Sequence, residues 1–212
     1  MVCQLILYHP LQFCYALWMS RTIEFDLEKT IEKATRLFWR DGYSNTSLRG
    51  LLKTMGIGEG SFYNVFKSKK NLYLLCLKHY NDTVGRRRLG VLLSEPSAKR
   101  GIRAFFRTVM DELDDPKTPR ICLMAGSLSS DVLNAHDLRR SVLAEMVLFE
   151  RHFIGRLESA KVSSELPKNF PSAVAAQVLI TYLQGLFRVF GVLQDRGQVE
   201  KQIEALLTGL GL

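Results

Sequence analysis

The stretch of this chain that decides its fold is TSLRGLLKTMGIGEGSFYNVFKSKKNLY, residues 46–73. Thr46 or Ser47 can cap a helix from Leu48 to Met55, because a hydroxyl oxygen accepts hydrogen bonds from the first backbone amides. The sequence Gly56-Ile57-Gly58 predicts a tight turn, since glycine takes a positive φ without steric cost. A second short helix, Glu59 to Phe66, follows. Two helices joined by a short glycine-bearing turn are the signature of a helix-turn-helix.

Helical periodicity extends on both sides of residues 46–73. Upstream, residues 26–40 place apolar side chains at spacings of three and four, with Asp26 as the N-cap and Gly42 as the terminator. Downstream, Ser68 caps a linking helix that runs from Lys69 towards Arg88. Further helices are predicted at 98–113, 121–133, 138–159, 172–193 and 199–210. No useful period-two alternation occurs, so we predict an all-α fold with a helix-turn-helix domain at 20–80 and a C-terminal helical domain at 81–212.

The charge of the chain is concentrated around the same motif. The chain has 212 residues, 47% hydrophobic and 24% charged, which is ordinary for a soluble globular protein, and its net charge is +8. Residues 46–88 contain nine basic residues and two acidic ones, so +7 of the +8 lies there. This concentration indicates an anionic partner such as nucleic acid, with a solvated basic face as the alternative. The basic residues are Arg49, Lys53, Lys67, Lys69, Lys70, Lys78, Arg86, Arg87 and Arg88.

The first nineteen residues are apolar and contain no charged side chain. They have no positive region ahead of the apolar run and carry Pro10 in its middle, which argues against an export signal or a membrane span. A second methionine, Met19, precedes the first amphipathic helix. We expect translation to begin at Met19, so that the apolar extension 1–19 is an artefact of gene-start assignment up to that methionine. We also expect a cytoplasmic protein.

Residues 46–73 resemble the helix-turn-helix of TetR-family transcriptional regulators. The features that carry the resemblance are Gly42, Thr46, Gly56, the run from Gly60 to Tyr63, Phe66, Ser68-Lys69 and Leu72. The resemblance is dense over residues 26–80 and architectural beyond them. It implies a homodimeric repressor that places two recognition helices on double-stranded operator DNA and is released by a small-molecule effector. It also implies that the effector binds the C-terminal domain, while helices 172–193 and 199–210 form the dimer interface.

The chemistry of the motif residues suggests which of them contact DNA. Gly60 and Ser61 keep the leading end of the second helix slim enough to enter the major groove, while Tyr63 and Asn64 offer polar groups. Phe62 is expected to turn inward and lock the helix. Free amides at the start of the first helix, together with the lysines, favour phosphates. The predicted DNA-binding set is Thr46, Ser47, Arg49, Gly60, Ser61, Phe62, Tyr63, Asn64, Lys67, Lys69 and Lys70.

Aromatic residues of the C-terminal half are candidates for an effector pocket. At helical spacing they also fit plain hydrophobic core, and both interpretations stay open. The candidates are Phe105, Phe106, Phe149, Phe153, Tyr182 and Phe187. If the protein senses an apolar effector, the interpretation of these residues as a pocket is favoured.

Several other patterns point to weaker alternatives. Cys122 near the start of a predicted helix suggests a thiol sensor or a small helical enzyme, although no second catalytic group stands at a persuasive spacing. The histidines form no metal-binding pair, so we predict no metal and no cofactor. Residues 172–193 are apolar enough to suggest a membrane span, but Arg188 and two glutamines interrupt them. We therefore predict no membrane association and no enzymatic activity.

Overall fold

The structure, a computed structural model, describes residues 25–212, and all regular structure in that part of the chain is helical. The all-α prediction is confirmed. The expectations for residues 1–19 and Met19 lie outside the described residues. The helices are α1 (Leu27–Asn45), α2 (Leu48–Met55), α3 (Glu59–Phe66), α4 (Lys69–Tyr80), a π turn (Asn81–Gly85), α5 (Arg86–Ser94), α6 (Ala98–Asp114), α7 (Leu123–Gly126), α8 (Ser130–Asn134), α9 (His136–Val162), α10 (Ser172–Leu193) and α11 (Arg196–Gly209).

Caps predicted from the sequence begin the helices of the N-terminal half. The Oδ1 atom of Asp26 accepts a hydrogen bond from the Lys29 amide at 3.1 Å, and this bond lowers the pKa of Asp26. Gly42 breaks α1 at φ 78°, as predicted, but one more helical turn follows to Asn45. The buried face of α1 packs against α2 and α4. This packing makes the first four helices one hydrophobic unit.

The linking helix is not one continuous α-helix. α4 ends at Tyr80, the chain makes a π turn, and α5 continues to Ser94. A π turn contains one residue more than an α-helical turn, so it rotates the residues that follow. Because of this rotation Arg88, counted above among the nine basic residues that indicate an anionic partner, is buried. The simple helical periodicity used for prediction carries no signal for such an insertion.

The predicted helix 121–133 is wrong in extent. The chain forms two short helices, α7 and α8, separated at residues 127–129. The hydroxyl of Ser127 donates to the Leu123 carbonyl at 2.7 Å and bonds the Tyr73 hydroxyl at 2.6 Å. Serines near a glycine favour turns over helix interiors, because their hydroxyls compete for backbone hydrogen bonds. Residues 121–137, called here the bridging segment, lie against both α1 and α4.

The C-terminal half is built on α6, α9, α10 and α11. α6 and α5 approach so closely that a β-carbon at Gly101 would lie 2.5 Å from the Leu92 carbonyl oxygen, so only glycine fits. α10 begins and ends at the predicted residues 172 and 193. It is long and apolar enough to cross a membrane, but nine of its residues are buried against the rest of the protein. α10 is therefore described here as a core helix with one outward face.

Candidate nucleic-acid interface and core cavity

The two faces of α3 differ sharply. Phe62 and Phe66 are fully buried, with ring centroids 5.6 Å apart, and hold α3 against the core. The opposite face carries Gly60 and Asn64, both exposed, together with Tyr63, which is 45% exposed although its ring packs edge-on against Phe62. The inward face of α3 is thus fixed by packing and its outward face is narrow, which is the shape that entry into a major groove requires.

Gly60 has no structural reason within the described chain to be glycine. Its φ is not positive, and a β-carbon added there would meet nothing within 4 Å. Gly56, by contrast, ends α2 with φ 73°, a conformation that favours glycine. Glycine at position 60 therefore leaves open space on the outward face of α3. It is not required by packing within the described residues.

The start of α2 is capped by Ser47 rather than Thr46. The Ser47 Oγ atom accepts from the Gly50 amide at 3.0 Å, while Thr46 is buried and donates its hydroxyl proton to the Gly42 carbonyl at 2.6 Å. Thr46 therefore closes the turn between α1 and α2. The amides of the first α2 residues stand at the helix end, where the helix dipole favours an anion, and the exposed Arg49 lies in the same turn.

The lysines after α3 differ in their surroundings. Lys67 is exposed and ends α3 with φ 65°. The Lys69 ammonium lies 4.4 Å from the centroid of the Tyr43 ring, and partial burial lowers the pKa of Lys69. Lys70 forms an ion pair with Asp137 at 2.8 Å, and this hydrogen bond raises the pKa of Lys70. The Lys70 ammonium is therefore paired with a carboxylate of the C-terminal half.

Polar contacts tie the N-terminal helices to the bridging segment. The Trp39 indole donates to the Ile121 carbonyl, and the Ser44 hydroxyl donates to the Asp131 carboxylate. Further along, the Tyr73 and Ser127 hydroxyls bond each other in the core. The position of α1 and α4, and through them of α3, thus depends on where the bridging segment lies.

A buried ion pair joins the linking helix to α6. Arg88 donates from Nε to Glu112 at 2.7 Å and from Nη2 at 2.6 Å, and its guanidinium lies 5.2 Å from the Phe187 ring centroid. The Arg88 and Glu112 side chains are only 5% and 12% exposed. Arg87 also pairs with Glu112, from the solvent side. Since charges are rarely buried without a partner, this pair fixes the rotation of α5 against α6.

Five of the predicted pocket aromatics form one cluster. Phe105, at its centre, contacts Phe106 and Phe153 edge-on, while Tyr182 meets Phe106 at 6.1 Å. Phe149 lies 5.8 Å from Phe153. Phe187 stands apart, over Arg88. The structure therefore brings most of the set together, largely as filled core.

A small cavity lies beside this cluster, under the π turn. Its volume is about 30 Å³, and the linking helix, the bridging segment, α9 and α10 all contribute to its walls. Of the predicted pocket aromatics only Phe149 lines it. The polar wall residues Asn81, Glu145 and Gln184 carried no signal in the sequence, because a lone polar residue on an amphipathic helix is normally solvated.

Cys122 also lines this cavity. It is 4% exposed, and its sulfur accepts a hydrogen bond from the Tyr80 hydroxyl at 3.4 Å. Burial raises the pKa of Tyr80 well above its ordinary value, so Tyr80 does not act as a base towards the thiol. Within residues 25–212 no group of three or more His, Cys, Asp or Glu side chains is arranged to hold a metal ion.

The sequence of residues 31–76 matches the family model described as bacterial regulatory proteins, tetR family. The chain is 29% identical over 148 residues to the uncharacterized HTH-type transcriptional regulator YezE of Bacillus subtilis, covering 70% of this chain and 76% of that protein. It is 24% identical over 163 residues to the HTH-type transcriptional repressor ComR of Escherichia coli, covering 76% and 78%.

The structure is also similar to that of a solved protein–DNA complex. A cysteine mutant of the TetR family transcriptional regulator CifR, complexed with 26-bp double-strand operator DNA, superposes with a TM-score of 0.82 and 28% sequence identity. The similarity covers 89% of this chain and 98% of that one. It therefore extends well beyond the helix-turn-helix into the C-terminal half.

Proposed function

The chain belongs to the TetR family of bacterial regulatory proteins, and from this premise we propose that it represses transcription as a homodimer on operator DNA. In this proposal a small molecule bound in the C-terminal half releases the protein from DNA. The observation that carries the proposal is the form of α3, locked inward by Phe62 and Phe66 and slim outward at Gly60. Such a regulator works in the cytoplasm and needs no catalytic group.

We expect Tyr63→Ala to weaken operator binding by about tenfold or more, the loss typical of a single recognition contact. Tyr63 is the most prominent side chain on the outward face of α3. Retardation of the gene's own upstream duplex measures the effect, and sedimentation checks that the oligomer is unchanged. Tyr63→Phe keeps the ring and serves as the control for the hydroxyl. Unchanged retardation by Tyr63→Ala would contradict the docking of α3.

Lys67→Gly is expected to raise stability while lowering affinity for every DNA sequence alike. Glycine relieves the strain of φ 65°, worth about 1 kcal/mol, and the lost charge reduces the log–log salt slope of DNA binding by about one. Gln194→Gly, at φ 50° on the end of α10, is the matched control for stability without a change in DNA binding. A changed sequence preference in Lys67→Gly would mean that Lys67 reads bases.

The outward face of α10 supports the proposed homodimer. Along this helix a stripe of exposed small and apolar side chains recurs at spacings of three, four and seven residues. An apolar stripe of this length on a surface marks an interaction site, and a two-fold contact between equal helices is the simplest way to cover it. We define this α10 stripe as Val174, Val178, Gly185, Val189 and Val192.

The proposed release by effector follows from the position of the linking helix. Its α4 part contacts α3 and the bridging segment, and its π turn forms a wall of the cavity. A ligand that binds one arrangement of this helix more tightly shifts the spacing of the two α3 helices in the dimer. By linkage it weakens DNA binding by the same factor that DNA weakens its own binding.

The alternative of a thiol sensor or small enzyme at Cys122 retains one supporting observation, its place in the cavity wall. Cys122 is only 4% exposed, whereas reactive cysteines are partly accessible to solvent. Cys122→Ser measures the alternative. We expect the variant to bind operator and to remain responsive to effector.

A further inference from the structure

The leading end of α3 carries one charged side chain, that of Glu59. This residue is the first of α3, it is exposed, and it stands between Gly58 and Gly60. A β-carbon added at either glycine would meet nothing within 4 Å, so the space on both sides of Glu59 is open. In a helix-turn-helix the first residues of the second helix contact base edges in the major groove. Glu59 therefore occupies a position from which bases can be contacted.

Glu59 has no electrostatic partner within the described part of the chain. Residues 46–88 contain only two acidic side chains, Glu59 and Asp82. Asp82 forms ion pairs with Lys78 at 2.6 Å and with Arg86 at 3.3 Å. The Glu59 carboxylate, by contrast, forms no ion pair or hydrogen bond with any described side chain. It thus remains available as an acceptor, although it lies in the most basic part of the chain.

The chemistry of DNA restricts what such a carboxylate can contact. Phosphates repel it, and an ionised carboxylate accepts hydrogen bonds but donates none. The major groove offers two donors, the N4 amine of cytosine and the N6 amine of adenine. The adenine amine lies between two acceptors, adenine N7 and thymine O4, whereas the cytosine amine has one acceptor beside it, guanine O6. Cytosine is therefore the base that a carboxylate in this groove favours.

Glu59 also has an effect on α3 that does not involve DNA. Gly58 provides no side-chain cap for this helix, and a carboxylate in the first turn interacts favourably with the helix dipole. This effect stabilises α3 whatever duplex is bound. Base preference therefore distinguishes a structural role of Glu59 from contact with a base.

We propose that Glu59 determines operator sequence by accepting a hydrogen bond from the N4 amine of one cytosine in each half-site. The inference rests on the proposed function, because it requires α3 to enter the major groove. In a two-fold dimer the contact occurs twice, so the two cytosines lie on opposite strands at equal distances from the centre of the operator. On other sequences the carboxylate meets acceptor atoms or phosphates without a donor, which disfavours binding there.

The test measures base preference at every position of the bound site. Footprinting on the gene's own upstream duplex locates the site, and selection from a pool of random duplexes gives the preferences of the full chain. We expect the wild-type protein to select cytosine at one position of each half-site. Replacing that C·G pair by T·A in one half-site is expected to lower affinity by about tenfold.

Two variants of Glu59 show whether this side chain makes the contact. Glu59→Gln is expected to select adenine at the same position, because a glutamine amide pairs with adenine N6 and N7. Glu59→Ala is expected to lose the preference at that position alone and to bind unrelated duplexes more tightly, since the repulsion of phosphates is removed. Glu59→Gln keeps the shape of the side chain, so the test remains decisive if Glu59→Ala folds poorly.

Glu158→Gln is the matched control. It removes the same charge from α9 in the C-terminal half, where the Glu158 side chain is 51% exposed. We expect it to leave every base preference unchanged. Thermal unfolding of all three variants shows whether the fold is retained.

The outcomes separate this proposal from the proposed function. Failure of the wild-type protein to bind any duplex contradicts the regulator itself. Binding with base preferences that both Glu59 variants leave unchanged contradicts the contact between Glu59 and cytosine, while the regulator stands. Tighter binding of every duplex without a changed preference would mean that Glu59 acts by repulsion alone. Lower thermal stability without a changed preference would assign Glu59 to the helix dipole, and either result overturns the proposal.

Discussion

Val178→Glu is expected to convert the proposed dimer into monomers and to lower operator affinity by about a hundredfold or more. Val178 is 36% exposed on the α10 stripe, where two copies of α10 would meet. A carboxylate at such a contact must be desolvated without a partner. The loss of affinity follows because two linked DNA-binding domains bind about 10²–10⁴ times more tightly than one.

Sedimentation velocity and operator retardation measure the two effects of Val178→Glu together. Val162→Glu is the matched control, because Val162 is 88% exposed at the end of α9, outside the α10 stripe. This control is expected to remain dimeric and to bind operator normally. A dimer that survives Val178→Glu would show that α10 does not form the interface.

Glu112→Ala is expected to reduce the free energy of unfolding by about 3–5 kcal/mol, the cost of leaving a buried charge without its partner. Arg88 would keep its charge between α5, α6 and the Phe187 ring, with no carboxylate to accept its hydrogen bonds. Urea denaturation at a fixed protomer concentration measures the loss, since the proposed dimerisation would contribute to stability.

Two further variants separate the buried charge from the lost side chain. Asp111→Ala removes the neighbouring carboxylate, which is 60% exposed and pairs with Arg196, and is expected to cost less than about 1 kcal/mol. Arg88→Met combined with Glu112→Leu removes both charges and is expected to recover most of the stability. A loss below about 1 kcal/mol in Glu112→Ala would mean that water reaches the pair.

Helix positions were predictable where caps and breaks agree with periodicity. Asp26 and Ser68 each accept a hydrogen bond from the amide three residues later, as their positions ahead of apolar runs indicated. The first residue of α10 was predictable because Pro171 precedes it. Its last residue matches the end of the predicted apolar run, although the left-handed conformation of Gln194 that ends the helix has no signal in a glutamine.

Features decided by distant contacts were not predictable. Where the helix predicted at 121–133 divides, the local turn preference of serine acts together with the hydrogen bond between Ser127 and Tyr73, and periodicity carries no signal for that bond between residues 54 apart. The burial of Arg88 depends on Glu112, and the cavity combines residues from four separate parts of the chain. For the DNA-binding set, motif spacing was sufficient to place α3 but not to separate the buried Thr46 from the capping Ser47.

The π turn between α4 and α5 also sets the direction in which the side chains of α5 point around the helix axis. One residue advances an α-helix by about 100°, so shortening the turn by Asp82 or Thr83, both exposed, would let the helix run straight through and swing every later side chain by that angle. Arg88 would then take the exposed position of Arg87, and the half-buried Leu89 would take the position of Arg88 against α6. The relative rotation of the N-terminal and C-terminal helices is therefore set by the one extra residue of the π turn. We expect deletions in this turn to be tolerated less well than substitutions.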